Sequence, residues 1–440
     1  MSAFTKRFGD MTNKAVFLGS SPLKAQPKAV SGAYVERNGE VFYKIENFSD
    51  MSDFFISVVS DSNHWLFIST RGGLTAGRTD CDSALFPYYT EDKIRDHSDH
   101  TGSRTLALVD MGNRRVLWEP FSVVHASVYT LQRNLYKNVI GDKLVFEETN
   151  VDLGLRFSYT WATSDRYGFV KQSSLENIGD DDRHVELLDG IENLLPYGVL
   201  AGTQNELSCL VDAYKKNERV ADSVLAIYCM SSILSDRAEP SEALSATTVW
   251  SYGATHPQVL LSSLQLDNFR RGESISAESE ILGRRGAYFI HQNLALAVGE
   301  VADWGIVADV NQGPAAVSNS LNNLQTNSNL AAEVRADIER GSENLRRLIG
   351  TSDGLQVTGD TLTANHHAAN VLFNIMRGGL FEDNYAIDKH DLQAFCQDWN
   401  APVTTASAAF FETLPNALTY HTLNDALEQA HNPQLERLCR

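Results

Sequence analysis

The sequence predicts a mainly β fold followed by helices, and two residue patterns along the chain carry this prediction. Between residues 39 and 299, short runs of β-branched and aromatic residues are separated by Gly, Asn and Asp, which is typical of strands joined by turns. After residue 313 the chain becomes rich in Ala, Leu, Asn, Glu and Arg with a helical period. Strands first and helices afterwards indicate separate β and α domains, which we place at residues 1–310 and 311–440.

The first half of the β region contains strand runs and one clear hairpin. Three runs of β-branched and aromatic residues, at 41–45, 54–59 and 65–68, follow one another closely. A further pair of runs, at 106–109 and 116–118, flanks a turn with Gly and Asn at its centre, and this arrangement predicts a β-hairpin.

The second half of the β region contains a long amphipathic strand. Leu153, Leu155, Phe157, Tyr159 and Trp161 alternate with smaller or polar residues, which puts all five on one face. The next two strands flank an acidic turn and predict an antiparallel meander. An isolated helix at 200–216 and two further strands at 224–230 and 287–297 complete the domain, after the strand pair at 170–175 and 185–188.

The helical region begins with an amphipathic segment over residues 315–348, in which Gly341 is a point where the helix could break. Further helices are predicted at 362–376, at 389–399 and from 423 onwards. The last of these is still helical at its final residue, so we expect its apolar side to need a partner later in a longer chain. The alternative is that it packs back on the preceding helices.

Composition excludes several kinds of partner and site. The net charge is −19, from 37 Lys+Arg and 56 Asp+Glu, and no basic cluster stands out, so neither nucleic acid nor an anionic membrane is an expected partner. Five widely spaced cysteines do not predict a disulfide framework or a zinc ribbon. Residues 1–10 lack the apolar core of a secretory signal, and no apolar run is long enough for a membrane helix. We therefore expect a cytoplasmic protein with reduced thiols.

The densest group of polar, aromatic and glycine residues lies between residues 69 and 105, which we interpret as one long loop. Loops of this length are usually functional, and tyrosine rings with nearby charged groups are suited to recognising sugar hydroxyls. The alternative is a loop that packs against another domain or subunit through its own salt bridges. The candidate substrate-binding residues are Arg71, Arg78, Asp80, Asp82, Tyr88, Tyr89 and Arg104.

Other motifs do not predict catalysis or a metal site. Residues 96–100 contain two histidines and two carboxylates, but no further ligands can be named, so a solvated loop is the better interpretation. His366 and His367 are adjacent on a predicted helix and point in different directions. We find no nucleophile elbow, P-loop, zincin or dinucleotide fingerprint. We therefore predict no metal, no cofactor and no catalytic residue in this chain.

Several segments resemble a known family. Residues 53–60, 65–78 and 84–94 resemble the N-terminal β-sandwich of the cellobiose phosphorylase group, glycoside hydrolase family 94, and its larger uncharacterised relatives. Residues 169–178 and 185–188 are similar to a strand pair of the same sandwich, so the resemblance spans roughly residues 40 to 300. It extends more weakly to residues 368–379, which look like the helices that join the sandwich to a catalytic barrel.

The resemblance implies a galactose-mutarotase-like supersandwich, linker helices and then an (α/α)6 barrel, of which this chain would hold only the beginning. In that family the barrel carries the catalytic acid, inorganic phosphate replaces water as the nucleophile, and the sandwich helps to form a homodimer. The implied function is the N-terminal, non-catalytic part of a carbohydrate-active enzyme, with an oligosaccharide or sugar phosphate and the downstream barrel as partners. The alternatives are a self-contained carbohydrate-binding protein and a scaffold without catalysis.

Overall fold

The structure is a computed structural model that describes residues 15–24, 28–89, 91–232, 244–356, 358–376 and 386–440. The chain divides into two compact units, Met1–Leu345 and Arg346–Arg440. Within the described residues, no helix is both long enough and apolar enough to cross a membrane.

The first unit is built mainly from strands. In chain order they are β1 (Phe17–Leu18), β2 (Ser21–Pro22), β3 (Ser31–Arg37), β4 (Glu40–Glu46), β5 (Phe55–Val58), β6 (His64–Ser69), β7 (Leu74–Arg78), β8 (Ala84–Phe86), β9 (Gly102–Asp110), β10 (Arg115–Trp118), β11 (Leu131–Asn138), β12 (Leu144–Asn150), β13 (Leu155–Ser164), β14 (Gly168–Asn177), β15 (Arg183–Leu194), β16 (Lys215–Arg219), β17 (Ala226–Met230), β18 (Ala246–Tyr252), β19 (Gln258–Leu260), β20 (Glu280–Leu282), β21 (Gly286–Leu296) and β22 (Val301–Gln312).

Helices are fewer in this unit, and the last of them runs into the second unit. They are α1 (Glu91–Asp96), α2 (Val123–Ala126), α3 (Ala201–Ala213), α4 (Leu266–Arg270), α5 (Pro314–Thr326) and α6 (Leu330–Thr351), with a 3-10 turn at Phe48–Asp50.

Apart from the short β1–β2 pair, the described strands of this unit form one large sheet and two smaller ones. The large sheet has the order β20-β16-β17-β18-β22-β14-β13-β12-β11-β4-β3, the second has β10-β9-β15-β21-β19, and the third has β5-β6-β7-β8. Neighbouring strands are antiparallel. The predicted hairpin is confirmed, because β9 pairs with β10 from Arg115 opposite Asp110 to Trp118 opposite Ala107.

One apolar core joins the three sheets. It contains side chains from the large sheet, such as Phe157 and Trp161, together with Leu187 of the second sheet and Phe86 of the third. The predicted one-sided row from Leu153 to Trp161 is confirmed, since all five side chains belong to this core, although β13 itself begins at Leu155. The architecture is therefore a sandwich of β-sheets, mainly β with some helices, as the strand pattern predicted.

A buried ionic cluster also joins two of the sheets. Lys171 Nζ of β14 donates to Asp189 Oδ1 of β15 at 2.6 Å, and neither side chain is exposed to solvent. Three further donors satisfy the carboxylate, namely Thr105 Oγ1, Ser173 Oγ and Trp304 Nε1. Desolvation lowers the pKa of Lys171, and the facing carboxylate opposes that shift. Because every oxygen of Asp189 has a donor, the cluster tolerates burial in the middle of the sandwich.

The helices after β22 cover part of the outer face of the large sheet. Leu330, Val334 and Ile338 of α6 pack against a second apolar cluster that includes Trp250 and Val307. The predicted long helix is interrupted between Thr326 and Leu330, not at Gly341, which lies within α6. The pattern of apolar residues gave the face correctly but not the position of the break.

The predicted antiparallel meander across the acidic turn is wrong. β14 pairs with β13 on one side and β22 on the other, while β15 pairs with β9 and β21 in a different sheet. Both edges of β14 are therefore occupied, and the turn at residues 178–182 carries the chain from one layer of the sandwich to another. Strand signals alone do not tell which strands share a sheet.

The predicted long loop between residues 69 and 105 is also wrong, because the structure places β7, β8 and α1 in that range. Gly77 belongs to β7, where a side-chain carbon would come within 2.5 Å of the Trp65 ring and 2.6 Å of the Ser83 carbonyl oxygen. This glycine permits close packing across a strand and does not mark a loop. Counting glycines therefore led to the wrong element.

The second unit is helical. It contains α7 (Thr361–Asn374), α8 (Lys389–Ala406), α9 (Ala408–Thr413), α10 (Tyr420–Ala430) and α11 (Pro433–Cys439), with a small pairing of β23 (Ile387–Asp388) and β24 (Ala417–Leu418). The last predicted helix is two helices, because His431 takes a left-handed backbone conformation between them.

The apolar side of these last two helices is covered from within the same unit. Leu423, Leu427 and Leu435 are buried in one cluster with Cys396, Phe411, Leu414 and Leu418 of the preceding segments. The expectation that this side needs a later partner is therefore wrong, and the alternative of packing back is what the structure shows. The predicted (α/α)6 barrel stays a prediction.

Candidate functional site

The outer face of the four-stranded sheet carries a row of partly exposed aromatic side chains. On β6, Leu66 and Ile68 belong to the core, so the alternation of a strand turns Trp65 and Phe67 outward. Phe67 is 39% exposed, and Tyr88, just after β8, is 45% exposed. We call Trp65, Phe67 and Tyr88 the aromatic face.

The position of Trp65 is fixed from three sides. Its ring lies across Gly77, the residue that pairs with it on β7. Its indole Nε1 donates to the Asp80 carbonyl oxygen at 3.1 Å. The Tyr88 ring stands edge-on to it, with centroids 5.5 Å apart and planes at 85°. A ring held in this way loses little conformational freedom when a ligand stacks on it.

The predicted arginines make ion pairs within the chain. Arg78 Nε and Nη2 donate to the two carboxylate oxygens of Asp309, at 2.7 and 3.4 Å, and its Nη1 donates to Asn63 Oδ1 at 3.0 Å. Arg71 pairs with Asp53 at 2.5 Å and is exposed. Arg104 Nε donates to Glu192 Oε2 at 2.9 Å. All three ion pairs lie within the first unit, so they show no packing against another domain or subunit.

The two predicted aspartates shape the chain after β7. Asp80 Oδ1 accepts hydrogen bonds from the backbone N–H groups of Asp82 and Ser83, at 3.1 and 3.0 Å. Asp82 Oδ1 accepts from the N–H of Ala201 at 2.8 Å, at the start of α3. Both carboxylates keep a second oxygen, so they can still accept a hydrogen bond from a ligand hydroxyl at the rim.

The two predicted tyrosines point to different neighbours. Tyr88 contacts Trp65, whereas Tyr89 stacks on His97 with centroids 5.0 Å apart and planes at 27°. Desolvation, followed by the positive charge of Arg285, lowers the pKa of His97. The ring of Tyr89 therefore serves as a packing surface for α1 and its following turn, and only Tyr88 belongs to the aromatic face.

The structure thus brings Asp80 and Tyr88 together around Trp65, and pairs Arg71, Arg78 and Arg104 with carboxylates instead. Trp65 and Phe67 were missed as site residues, although the run 65–68 was predicted as a strand. The signal that could have found them is the alternation within that run, which separates two outward aromatic residues from two inward aliphatic ones.

Apart from the aromatic face, the first unit has a small cavity between the outer face of the large sheet and α5. Its volume is about 40 Å³, and Tyr167, Trp250, Asp309 and Gln312 are among the residues that line it. Sites for small organic ligands usually need about 300 Å³ or more, so this cavity is suited to ordered water and not to a sugar. Among the described residues, no group of three or more His, Cys, Asp or Glu side chains is placed to hold a metal ion.

Residues 381–440 match the profile of a carbohydrate-active family, described as glycoside hydrolase family 149 insertion domain 1. The described part of this match, from residue 386 onwards, contains β23, β24 and α8 to α11. No curated protein matches the chain. The C-terminal helices are thus similar to a domain of a glycoside hydrolase family, while the specific resemblance to family 94 stays a prediction.

Solved structures show distant similarity. A bacterial glucoamylase complexed with acarbose matches 83% of this chain and 52% of its own, at 8% identity and a TM-score of 0.42. A protein assigned as a kojibiose phosphorylase, from the human microbiome, matches 62% of this chain and 32% of its own, at 8% identity and a TM-score of 0.38. An assigned aldose 1-epimerase from Klebsiella pneumoniae matches 68% of this chain and 92% of its own, at 8% identity and a TM-score of 0.31. The chain spans about half the length of the glucoamylase and about a third of the kojibiose phosphorylase.

Proposed function

We propose that this chain is a non-catalytic part of a carbohydrate-active enzyme of the glycoside hydrolase or phosphorylase type, and that its aromatic face binds an oligosaccharide. The observation that carries the proposal is the row of Trp65, Phe67 and Tyr88, partly exposed on a rigid sheet with the indole N–H already satisfied. The match of the C-terminal residues to a domain of a glycoside hydrolase family supports the same substrate class.

The shape and chemistry of the face suit a chain of sugar rings. Apolar C–H faces of a pyranose can stack on aromatic rings, and the Tyr88 hydroxyl can exchange hydrogen bonds with ring hydroxyls at the edge. A sheet face is open at its sides, so it fits a linear oligosaccharide better than a single sugar. The free oxygens of Asp80 and Asp82 lie beyond the end of β7 and supply acceptors at the rim.

The finer parts of the proposal follow the resemblance to glycoside phosphorylases. Catalysis would lie in a helical barrel downstream in the same polypeptide, with inorganic phosphate as co-substrate, and two copies of the sandwich would form a dimer. On the full native gene product, phosphorolysis would consume inorganic phosphate and form a sugar phosphate, whereas hydrolysis would form free sugars without phosphate, so an assay of sugar phosphate formation separates the two. The intact mass of that product, measured from cell extract, gives the length of the native polypeptide that contains the sandwich.

The binding site is tested by titrating soluble oligosaccharides of several linkages into the protein and measuring heat or ligand-detected NMR signals. We expect Phe67→Ala and Tyr88→Ala each to weaken binding about tenfold, since one stacking contact contributes roughly 1.4 kcal/mol. Tyr43→Ala is the matched control, because Tyr43 is 37% exposed on β4, in a different sheet.

Binding that is unaffected by both aromatic-face variants would reject this surface as the site. Binding that falls equally in the Tyr43 control would show that the loss is not specific to the face. If none of the oligosaccharides binds and the variants instead change the sedimentation coefficient, the scaffold interpretation replaces the carbohydrate one.

A further inference from the structure

Two of the five cysteines contact each other in the second unit. Cys396 of α8 and Cys439 of α11 have their Sγ atoms 3.8 Å apart, although they are separated by 42 residues in the chain. Both are free thiols. The contact was not visible in the sequence, where the five cysteines are widely spaced and show no C-x-x-C motif.

The surroundings hold the two sulfur atoms against each other. Cys396 is fully buried in the cluster that also contains Phe411, Leu427 and Leu435, and Cys439 packs on the rim of that cluster. α8 and α11 pack directly on each other. A disulfide needs an Sγ–Sγ distance of about 2.0 Å, so the two sulfur atoms, now 3.8 Å apart, must move closer together to form the bond.

We propose that Cys396 and Cys439 are a modification site, at which a low-molecular-weight disulfide of the glutathione type reversibly oxidises them to one intramolecular disulfide. The inference is independent of the carbohydrate proposal, because it concerns a different unit and a different chemistry.

The reaction proceeds by two exchanges. Cys439, the more accessible thiol, attacks one sulfur of the glutathione disulfide as its thiolate and expels one glutathione thiolate. The thiolate of Cys396 then attacks the Cys439 sulfur and expels the second glutathione thiolate. The two cysteines lose two electrons and two protons in total, and one glutathione disulfide becomes two glutathione thiols.

Burial controls the speed of this exchange. Desolvation raises the pKa of both thiols, and for Cys439 desolvation together with the neighbouring Cys396 raises the pKa to about 12. The thiolate is therefore scarce near neutral pH. As long as the pH stays below the pKa, each rise of one pH unit increases the thiolate concentration tenfold. We therefore expect the rate of cross-linking to rise about tenfold per pH unit, which is roughly a hundredfold between pH 7 and pH 9.

The cross-link creates a distinctive tryptic fragment. Trypsin cleaves after Lys389 and Arg437 and at no Lys or Arg between them, so Cys396 lies in the 390–437 peptide and Cys439 in the tripeptide that follows. After treatment of the full chain with oxidised glutathione, the non-reducing map should show these two peptides joined, with two hydrogens lost. Dithiothreitol should release them.

Variants separate this pair from the other thiols. Cys439→Ser and Cys396→Ala should each abolish the joined peptide, while Cys209→Ser, which removes an exposed thiol on α3, should leave it unchanged. Oxidation should also raise the melting temperature of the helical unit by at least about 5 °C in the wild type and not in Cys439→Ser. Cys439→Ser is a mild change at the rim of the apolar cluster, so it keeps the test valid if the buried Cys396→Ala variant does not fold.

Three results would overturn the proposal. One is separate glutathione adducts on Cys396 and Cys439 without a joined peptide. Another is a joined peptide that comes only from disulfide-linked dimers on a non-reducing gel. The third is cross-linking at the same rate in concentrated urea, because the folded contact would then contribute nothing to the reaction.

Discussion

His64 is a buried histidine at the start of β6, and its environment keeps the ring neutral. The ring stands edge-on to Phe169, with centroids 4.9 Å apart, and its Nδ1 lies 3.1 Å from Ser60 Oγ. Nε2 has no hydrogen-bond partner among the described residues. Burial, followed by the positive charge of Arg78, lowers the pKa of His64 to about 3 from its usual 6.5.

This lowered pKa predicts acid sensitivity of the first unit. Between pH 6.5 and pH 3 the unfolded chain binds a proton at this position that the folded chain does not, so stability falls as the pH falls through this window. The slope due to one such group is at most about 1.4 kcal/mol per pH unit.

The prediction is tested by urea unfolding of the wild type and His64→Gln at pH 7, 5 and 4. The variant should be less stable at pH 7 because it loses packing against Phe169, and its deficit should shrink as the pH falls. A deficit that stays constant across the three pH values would contradict the lowered pKa.

Arg78 and Asp309 form a layer-bridging pair whose disruption should be costly. Their side chains are only 15% and 14% exposed, and burial raises the pKa of Asp309 while Arg78 opposes the shift. Arg78→Ala leaves this carboxylate partly buried without its main partner, so we expect a loss of about 2 kcal/mol in unfolding free energy.

The matched control for this prediction is Arg71→Ala. Arg71 forms a similar ion pair with Asp53, but its side chain is 58% exposed, and exposed pairs contribute roughly 0–1 kcal/mol. Equal losses in the two variants, measured by chemical denaturation, would show that burial of the Arg78 pair is unimportant. The sequence could not reveal this partner, because Arg78 and Asp309 are 231 residues apart and belong to different sheets.

At the scale of elements, the pairing of β6 with β7 places Trp65 over Gly77, and this contact links the strand register to the aromatic face. Gly77→Ala would bring a methyl carbon within 2.5 Å of the Trp65 ring and within 2.6 Å of the backbone oxygen of Ser83. Since the backbone cannot yield easily, we expect a loss of about 2 kcal/mol in stability and displacement of the Trp65 ring.

The same variant should weaken oligosaccharide binding even in conditions where the protein stays folded, because a tilted ring no longer offers a flat surface. Gly202→Ala is the control, since Gly202 lies in α3 and, apart from its neighbours and the backbone of its own helix, no described heavy atom lies within 4 Å of the added carbon. That control should be neutral or slightly stabilising. Retention of both stability and binding in Gly77→Ala would contradict the close contact of Trp65 with β7.

Strand periodicity predicted individual elements well and their neighbours poorly. The alternate residues of β13 from Leu155 to Trp161 share one face because a strand alternates strictly, and this information is local. The assignment of β14 and β15 to different sheets depends on which edges are already occupied, which is information about the whole chain. The loop prediction over residues 69–105 fails for a different reason, because Gly77 permits close packing of Trp65 across a strand pair and does not mark a turn.

At the scale of the whole molecule, the division of apolar residues between the two units decides what can fold alone. The apolar cluster of the C-terminal helices draws its buried residues from positions 396 to 435, and its partly buried neighbours from 387 to 439. The change from a strand pattern to a helical pattern was readable from the sequence. The packing of the last helices on the preceding ones was not readable from the sequence, because an amphipathic pattern predicts which side of a helix is apolar but not which residues cover that side.

This self-contained cluster predicts that residues 386–440 fold without the sandwich. The isolated segment should show a helical circular dichroism spectrum and a cooperative thermal transition, although its small core allows only a few kcal/mol of stability. Leu427→Ala removes a side chain that is 1% exposed at the centre of the cluster, so it should abolish the transition. Leu362→Ala in the full chain changes a leucine that is 52% exposed on α7 and should leave the melting of the full chain unchanged. A spectrum of unordered chain from the isolated segment would mean that its helices depend on residues outside 386–440, and that the apolar cluster is too small to hold them alone.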